Sequence, residues 1–474
     1  MARSKRGEKP GNRQRSKRST PDGATSANVE APAETEGYWP TLIEGVQRVN
    51  KPLVMLLAGG GGTRLGVLVQ NRATPAVPFG GCYRIIDFAL SNVMHAGLDW
   101  VGVLTQYKPL SLMSHIGVGE PWNFYGRQRG TRILPPRTGE AAADWYQGTA
   151  DAIWQNIDFM ESMRPERVLI LSGDHIYRMD YRQMLIDHLD RKADATIAVM
   201  EVAPEEVSRF GMIWTDHQGN ITRFEEKPKK TETRQASMGI YLFEWPCLMQ
   251  ALRDIVGTRQ GVDFGHDIMP RILDSKRIVA HRFAGYWRDV GTIASFFQAN
   301  MDSLDPHSGL NLDSWEICTR DDNNLLGDRP PARFGRMAAC HDVLVSAGCR
   351  LDGSVNRTIC SPDVSICRGA HVEDSILMHG VTVGPGAVVR QAIVDKGVWI
   401  GAGATLDGGD NSVNNQEYKK CELHGMVVVG NSVRIPDGIR IGPNVVIEAG
   451  TGAPAFHGDV KAGATVRNPN KTAS

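Results

Sequence analysis

Apolar residues in the first half of the chain come in short runs, each closed by glycine or a charged residue. LVMLLA (53–58) leads straight into four glycines, and VGVLT (101–105) and RVLILSGD (167–174) have the same form. Runs this short and this uniformly apolar predict strands buried on both faces. Between the last two, TADAIWQNIDFM sets Ala150, Ile153, Trp154, Ile157 and Met160 at helical spacing. Strand–loop–helix alternation from Lys51 to about residue 305 predicts an α/β domain with a mostly parallel, mixed sheet between helices. Ligands of such sheets bind beyond the carboxyl ends of the strands. The glycine loop and Asp174 both fall at such ends.

From about residue 345 the period changes. Val388, Val394, Ile400 and Leu406 are spaced by six, as are Ile366, Val372 and Met378, and again Ile435, Ile441 and Ile447. Gly and small residues fill the intervals. A six-residue period is neither helix nor alternating strand; it predicts a parallel β-helix over 345–474, each short face giving one inward side chain. The alternative is a Gly-rich β-sandwich. Residues 407–430 (including DNSVNNQEYKKCELHG) break the repeat and predict an inserted loop. The division is then a tail and lead-in over 1–50, an α/β domain over 51–305, a linker over 306–344 and the coil domain.

Composition narrows the class. The 474 residues are 41% hydrophobic and 22% charged, with formal net charge zero. No global field favours nucleic acid or a membrane, and no apolar run approaches the ~18 residues that span a bilayer. Residues 1–37 begin ARSKRGEKPGNRQRSKRST after Met1. Such a segment cannot bury a core and predicts a disordered basic tail rather than a nucleic-acid arm. It has no apolar signal core, and the eight cysteines form no CxxC pair. Reduced thiols and a cytoplasmic location are the expectation.

Few residues carry candidate chemistry. Gly59, Gly60, Gly61 and Gly62 precede Thr63 and Arg64 in AGGGGTRL. The stretch lacks the P-loop ending and fits no dinucleotide fingerprint. Four glycines still let backbone amides approach an anion, and Arg64 offers a planar charge suited to phosphate; a tight turn with a surface arginine fits equally. Asp174 is a magnesium ligand by chemistry or a helix N-cap by position. Asp289, in YWRDVGT, is a second metal carboxylate or a partner of Arg288. Lys227, in RFEEKP, reaches a sugar phosphate or is an ordinary loop lysine.

Taken in order, LAGGGGTRL, RATPAVPFGGCYRIIDFALSN, WYQGTADAI, LSGDHIYRMDY, FEEKP, SMGIYLF, DFGHDIMP and YWRDVGT resemble the glucose-1-phosphate adenylyltransferase (ADP-glucose pyrophosphorylase) family, from Val54 to about residue 405. The resemblance implies a nucleotidyltransferase domain followed by a left-handed β-helix. It implies a Mg²⁺-dependent reaction of ATP with glucose 1-phosphate to give ADP-glucose and pyrophosphate, for glycogen or another α-glucan. By motif, Gly59–Gly62, Thr63 and Arg64 would cradle the ATP phosphates, with Tyr146 and Gly148 bordering the nucleotide. Asp174 and Asp289 would hold the metal. Glu226, Lys227, Ser237 and Asp263 would receive the sugar phosphate. A homotetramer under control by phosphorylated effectors is implied, with Arg72, Arg84 and Lys396 as the activator cations; surface salt bridges are the plainer account of those three.

The sequence departs from that family at one telling position. The motif RAKPAV is RATPAV here, and Thr74 lacks the lysine charge that meets the reacting phosphates. Loss of one such donor costs about 10²–10³ in rate. Asn71 and His266 also stand where lysine is usual, and Arg72 or His266 is the expected source of replacement charge. A weakly catalytic regulatory subunit, paired in a hetero-oligomer with a catalytic paralogue, is therefore the rival to a working enzyme. A transferase for another base or sugar fits RIIDFALSN and WYQGTADA less well. An acyltransferase built on His371 or His379 of the coil finds no active-site surroundings there.

Overall fold

The computed structural model describes residues 51–60, 62–137, 145–258, 262–314, 316–321 and 328–469. The expected tail over 1–50, and Gly61, lie outside them. Apart from the two-residue pair Pro78–Phe79 and Tyr83–Arg84, the α/β strands are β1 (Leu53–Leu57), β2 (Trp100–Leu104), β3 (Gly130–Leu134), β4 (Arg167–Ser172), β5 (His175–Tyr177), β6 (Ala195–Glu201), β7 (Gly211–Thr215), β8 (Ile221–Glu226), β9 (Gln235–Glu244), β10 (Ile278–Arg282) and β11 (Trp287–Asp289). Nine of them form one mixed sheet in the order β8-β7-β9-β4-β1-β2-β3, with β6 joined to β9 and β10. The run β4-β1-β2-β3 is parallel, and β9 enters antiparallel beside β4. β5 and β11 make a separate antiparallel pair.

Apolar residues on both faces explain the uniform runs. Met55 and Ile170 belong to one core, Val54, Leu56 and Leu171 to the other, and all are fully buried. Helix α1 (Ile85–His95) packs on the second face. The helical run after Gly148 is two helices rather than one, Thr149–Gln155 and Ile157–Met163. The Asn156 side chain donates to Ala152 O (2.9 Å) and to the Tyr146 hydroxyl (2.9 Å) at the break, a side chain competing with the ladder.

The coil begins at Arg333–Phe334, which pairs in parallel with Arg350–Leu351, so it starts inside the expected linker. Three inward columns fill it: Leu351, Ile366, Val383, Ile400 and Ile435; Val355, Val372, Val389, Leu406 and Ile441; Cys360, Leu377, Val394, Val429 and Ile447. Two positions of the six-residue reading shift by one. Val389 rather than Val388 points inward, and Leu377 rather than Met378, because the long strands bend around a corner and serve two faces. The chain leaves the coil after Asp407 and rejoins it at Val427. The run from Val433 to Ile447 continues the same columns.

The coil's outward side chains Ile359, Ile376, Met378, Ile393 and Val428 share a buried cluster with Leu65, Val67, Phe79, Ile293 and Phe296 of the α/β portion. No helix among the described residues is long and apolar enough to cross a membrane.

Candidate active site

Adjacent strands deliver the site. Leu57 and Ser172 are partners in the β1–β4 register, so the glycine loop and Asp174 emerge side by side. Gly173 N donates to Leu57 O and Ala58 N to Leu104 O, both at 2.9 Å. Beyond these ends lies a cleft of about 300 Å³, lined among others by Gly59, Gly60, Thr74, Gln106, Tyr146, Gly148, Asp174 and Asp263. The amides of Gly59, Gly60 and Gly62 donate to no main-chain carbonyl among the described residues. Gly62 sits at φ 51°, and a Cβ there would lie 1.9 Å from Thr74 Oγ1. That hydroxyl is buried and has no hydrogen-bond partner among the described residues. Thr63 and Arg64 are exposed on the 3-10 segment Thr63–Val69.

The β5–β11 pairing sets Asp289 across from the residue that follows Asp174. Asp289 is opposite His175 in that pairing, directly beside Asp174. Ser172 Oγ donates to the Asp174 carboxylate. Gly291 N donates to Asp289 Oδ1 at 2.9 Å. A Cβ on Gly291 would lie 2.8 Å from an Arg64 guanidinium nitrogen and 2.9 Å from Asp289 Oδ1, so one glycine separates that cation from the carboxylate. Arg64 forms no ion pair among the described residues. Asp289 is not paired with Arg288, which is engaged by Asp302 (3.0 Å) and the Tyr286 hydroxyl (3.2 Å). Its cationic neighbour is Arg209, at 3.6 Å.

Tyr146 donates to Leu134 O (3.0 Å), and its amide donates to Gln106 Oε1 (2.7 Å). Burial pushes its phenol up to about 12, so the ring stays neutral. Gly148 is required by packing: a Cβ would meet Val262 O at 2.4 Å. Asp263 caps the turn Phe264–Ile268 and accepts from Thr149 Oγ1 at 3.0 Å. Further along, the Glu226 carboxylate lies where a Cβ on Gly265 or Gly211 would be, 2.5 and 2.8 Å away. Lys227 stands at φ 49° and pairs with Glu226 at 2.9 Å. Ser237 accepts from Gly239 N at 3.2 Å, at the irregularity in β9. Tyr241, its phenol pushed up by burial, stacks on Phe264 with centroids 5.6 Å apart.

Two of the expected activator cations are occupied. Arg72 is buried in an ion pair with Asp395, whose Oδ1 accepts from Lys396 N at 2.7 Å. Arg84 is buried and donates to Ser111 Oγ (2.9 Å) and Ser111 O (3.1 Å). Neither guanidinium lies open to a solute. His266 is exposed and bonded to Asp267 at 2.8 Å, which raises its pKa; it does not line the cleft. Gln106 escaped sequence reading although it follows VGVLT, where the carboxyl-end rule applies. Thr149 and Arg209 carry no sequence signal of their own.

A cleft at the strand ends lined by bare glycine amides and Asp174, with Arg64 and Asp289 close together at Gly291, suits the handling of a nucleotide's phosphates. The Nucleotidyl transferase family model matches residues 53–305, and a GlmU-like, C-terminal hexapeptide model matches 330–429. The chain is thus a nucleotidyltransferase joined to a hexapeptide coil, the left-handed β-helix. Similar proteins narrow the class. Glucose-1-phosphate adenylyltransferase of Geobacillus stearothermophilus is 47% identical over 68% of this chain and 83% of its own. That of Clostridium perfringens is 48% identical over 69% and 84%, and that of Acetivibrio thermocellus 41% over 84% and 92%. The chain belongs to the glucose-1-phosphate adenylyltransferase family.

Proposed function

We propose that the protein transfers AMP from ATP to glucose 1-phosphate, releasing pyrophosphate and giving ADP-glucose for α-glucan synthesis. A phosphate oxygen of the sugar phosphate attacks the α-phosphorus of ATP, forming one P–O bond as the bond to pyrophosphate breaks. Two anions must be brought together, so positioning and charge stabilisation carry the catalysis. The observation that carries the reading is one cleft lined by the glycine loop, Tyr146, Asp174 and Asp263 together. The loop amides and Arg64 bind the triphosphate, Tyr146 and Gly148 border the base, and Glu226, Lys227, Ser237 and Asp263 orient the sugar phosphate.

The donor chemistry of Asp174 and Asp289 suits magnesium. Both are hard oxygen donors, Asp289 at the end of β11 and Asp174 just before its partner β5, and no group of three or more His, Cys, Asp or Glu converges among the described residues. Magnesium is commonly held by one or two carboxylates plus substrate phosphates. When bound, the ion neutralises charge that develops on the phosphates.

The test is ADP-glucose formation by the purified chain from ATP and glucose 1-phosphate, with pyrophosphate release measured and UTP, GTP and galactose 1-phosphate as competitors. Preference for ATP and glucose 1-phosphate by about tenfold or more in kcat/KM supports the reading; product formed faster with another pair overturns it. Thr74, neutral and with its hydroxyl unpartnered among the described residues, supports a second reading, a regulatory subunit that needs a catalytic paralogue. Turnover by the chain alone separates the two. Exposed Leu110 and Val118 (78% and 68%) support the expected homotetramer, which light scattering tests. A phosphorylated effector at Arg72 and Lys396 must first displace Asp395, and faster backbone amide exchange around residues 70–72 and 395–397 on adding a sugar phosphate tests that.

A further inference from the structure

Thr74 leaves a charge deficit, and neither Arg72 nor His266 is free to fill it. Arg209 has a different character. It ends the 3-10 segment Pro204–Arg209 just before β7. One terminal guanidinium nitrogen is 3.6 Å from Asp289 Oδ2, and the other is 3.8 Å from Glu206. The nitrogen facing Asp289 is buried yet makes no hydrogen bond among the described residues. It lines a cavity of about 120 Å³ with Asp289, Trp287 and Glu206. The Trp287 indole N–H, on the same cavity, is also buried without an acceptor. Two buried donors without acceptors beside a carboxylate are costly unless a ligand supplies the oxygens. Arg209 is also tied to the sugar-phosphate side: Lys227 N donates to Phe210 O at 3.0 Å, and Glu226 is opposite Gly211 in the β7–β8 register.

We propose that Arg209 is a substrate-binding cation of this reaction: its guanidinium nitrogen that makes no hydrogen bond among the described residues takes a phosphate oxygen of the sugar phosphate and supplies the charge that Thr74 does not. Arg64 flanks Asp289 on its Oδ1 side and Arg209 on its Oδ2 side. The anionic nucleophile then meets a cation of its own before it approaches ATP, so the repulsion between the two substrates falls. A guanidinium serves here because its planar fork can keep the Asp289 contact while donating to phosphate. The inference rests on the adenylyl-transfer reading above.

The test compares Arg209→Ala and Arg209→Lys in the full chain, each with and without Thr74→Lys. Arg209→Ala is expected to lower kcat/KM for glucose 1-phosphate by about 10²–10³ while KM for ATP moves by less than about threefold, with Arg209→Lys intermediate. If the two positions share one task, Thr74→Lys gains at least about tenfold more in the Arg209→Ala background than in the native one. A merely structural arginine would lower the melting temperature, shift both substrates alike and show no such coupling; that pattern overturns the proposal, as does native kinetics in Arg209→Ala. Calorimetric titration of glucose 1-phosphate keeps the test independent of turnover. Native binding weakened about tenfold or more by Arg209→Ala supports the proposal, and equal binding overturns it. If the native chain neither turns over nor binds glucose 1-phosphate, the adenylyl-transfer reading itself fails and this one falls with it.

Discussion

Gly148→Ala is the perturbation whose outcome the packing fixes most tightly. The added Cβ would stand 2.4 Å from Val262 O and 2.9 Å from its carbonyl carbon, both backbone atoms, and side chains do not tolerate approaches below 3.0 Å. Residue 148 itself is extended, at φ −174°, so the clash and not backbone strain decides the cost. Val262 cannot simply retreat. Its carbonyl accepts from Ala150 N (2.9 Å) and Asp151 N (3.0 Å), and its own amide donates to Asp267 at 2.7 Å. Overpacking costs about 1–3 kcal/mol, and two weakened hydrogen bonds add about 0.5–1.5 kcal/mol each. The sum is about 2–6 kcal/mol of stability. Relief by movement shifts Asp263 and Thr149, which are bonded at 3.0 Å at the cleft, and a misplacement of ~1 Å can cost about 10²-fold in rate. The assay pairs thermal unfolding with kcat/KM for ADP-glucose synthesis. Gly60→Ala is the control, since nothing lies within 4 Å of its added Cβ; it should unfold as the native chain does. A Gly148→Ala protein with native melting and native kcat/KM would refute the reasoning.

Other outcomes follow from buried charge and from titration. Arg72→Ala leaves Asp395, 1% exposed, without its counter-charge and should cost about 3–5 kcal/mol in denaturation, whereas Arg72→Met combined with Asp395→Leu should restore much of it. His188 is held between Thr196 Oγ1 (2.8 Å) and Glu244 Oε1 (3.2 Å), and burial, opposed by Glu244, lowers its pKa below 6.5. Its folded state favours the neutral ring, so this contribution is fully present above the unfolded pKa and is lost as pH falls through the lower folded value. Thermal midpoints from pH 7.5 to 5 should therefore decline less steeply in His188→Gln than in the native chain.

The sheet and the coil were legible because burial imposes periods that side-chain identity records. Leu53–Leu57 and Val168–Leu171 are apolar because both faces of the sheet are covered, and the six-residue spacing exists because each coil face turns one side chain inward. What the periods could not carry is where a strand bends. Val388 and Val389 are both apolar, so only the corner decides which one points in. The candidate site was legible where a motif sits at a strand end, as with the glycines and Asp174. It was illegible where function depends on contacts between segments distant in sequence. Arg72 looks like an available cation until Asp395, far along the chain, is seen to neutralise it. Arg209 looks like a loop arginine until β11 brings Asp289 beside it.

The interruption of the coil over 408–426 also gains a physical account. Gly66, at φ 54°, has Tyr418 and Cys421 packed where its Cβ would be, at 3.1 and 3.2 Å, and Cys421 Sγ lies 3.7 Å from Thr63 O. From there the chain is tied to the coil residue by residue: Gln70 Oε1 accepts from Ala449 N at 3.1 Å, Asn71 donates to Asn431 at 3.1 Å, and Arg72 meets Asp395. The segment held this way starts beside Arg64 and ends two residues before Thr74. A glycine loop has little stiffness of its own, since glycine restricts its backbone least of all residues. On the proposed function its amides face phosphate and need fixed positions for charge stabilisation to count. A stack of parallel coils with apolar columns is rigid, and anchoring the segment to it transfers that rigidity to the loop. Asn71 and Thr74 then make sense together. Asn71 bonds Asn431 of the coil and Thr74 packs beside Gly62, so both help to hold the segment, while the cations beside Asp289 are Arg64 on its Oδ1 side and Arg209 on its Oδ2 side.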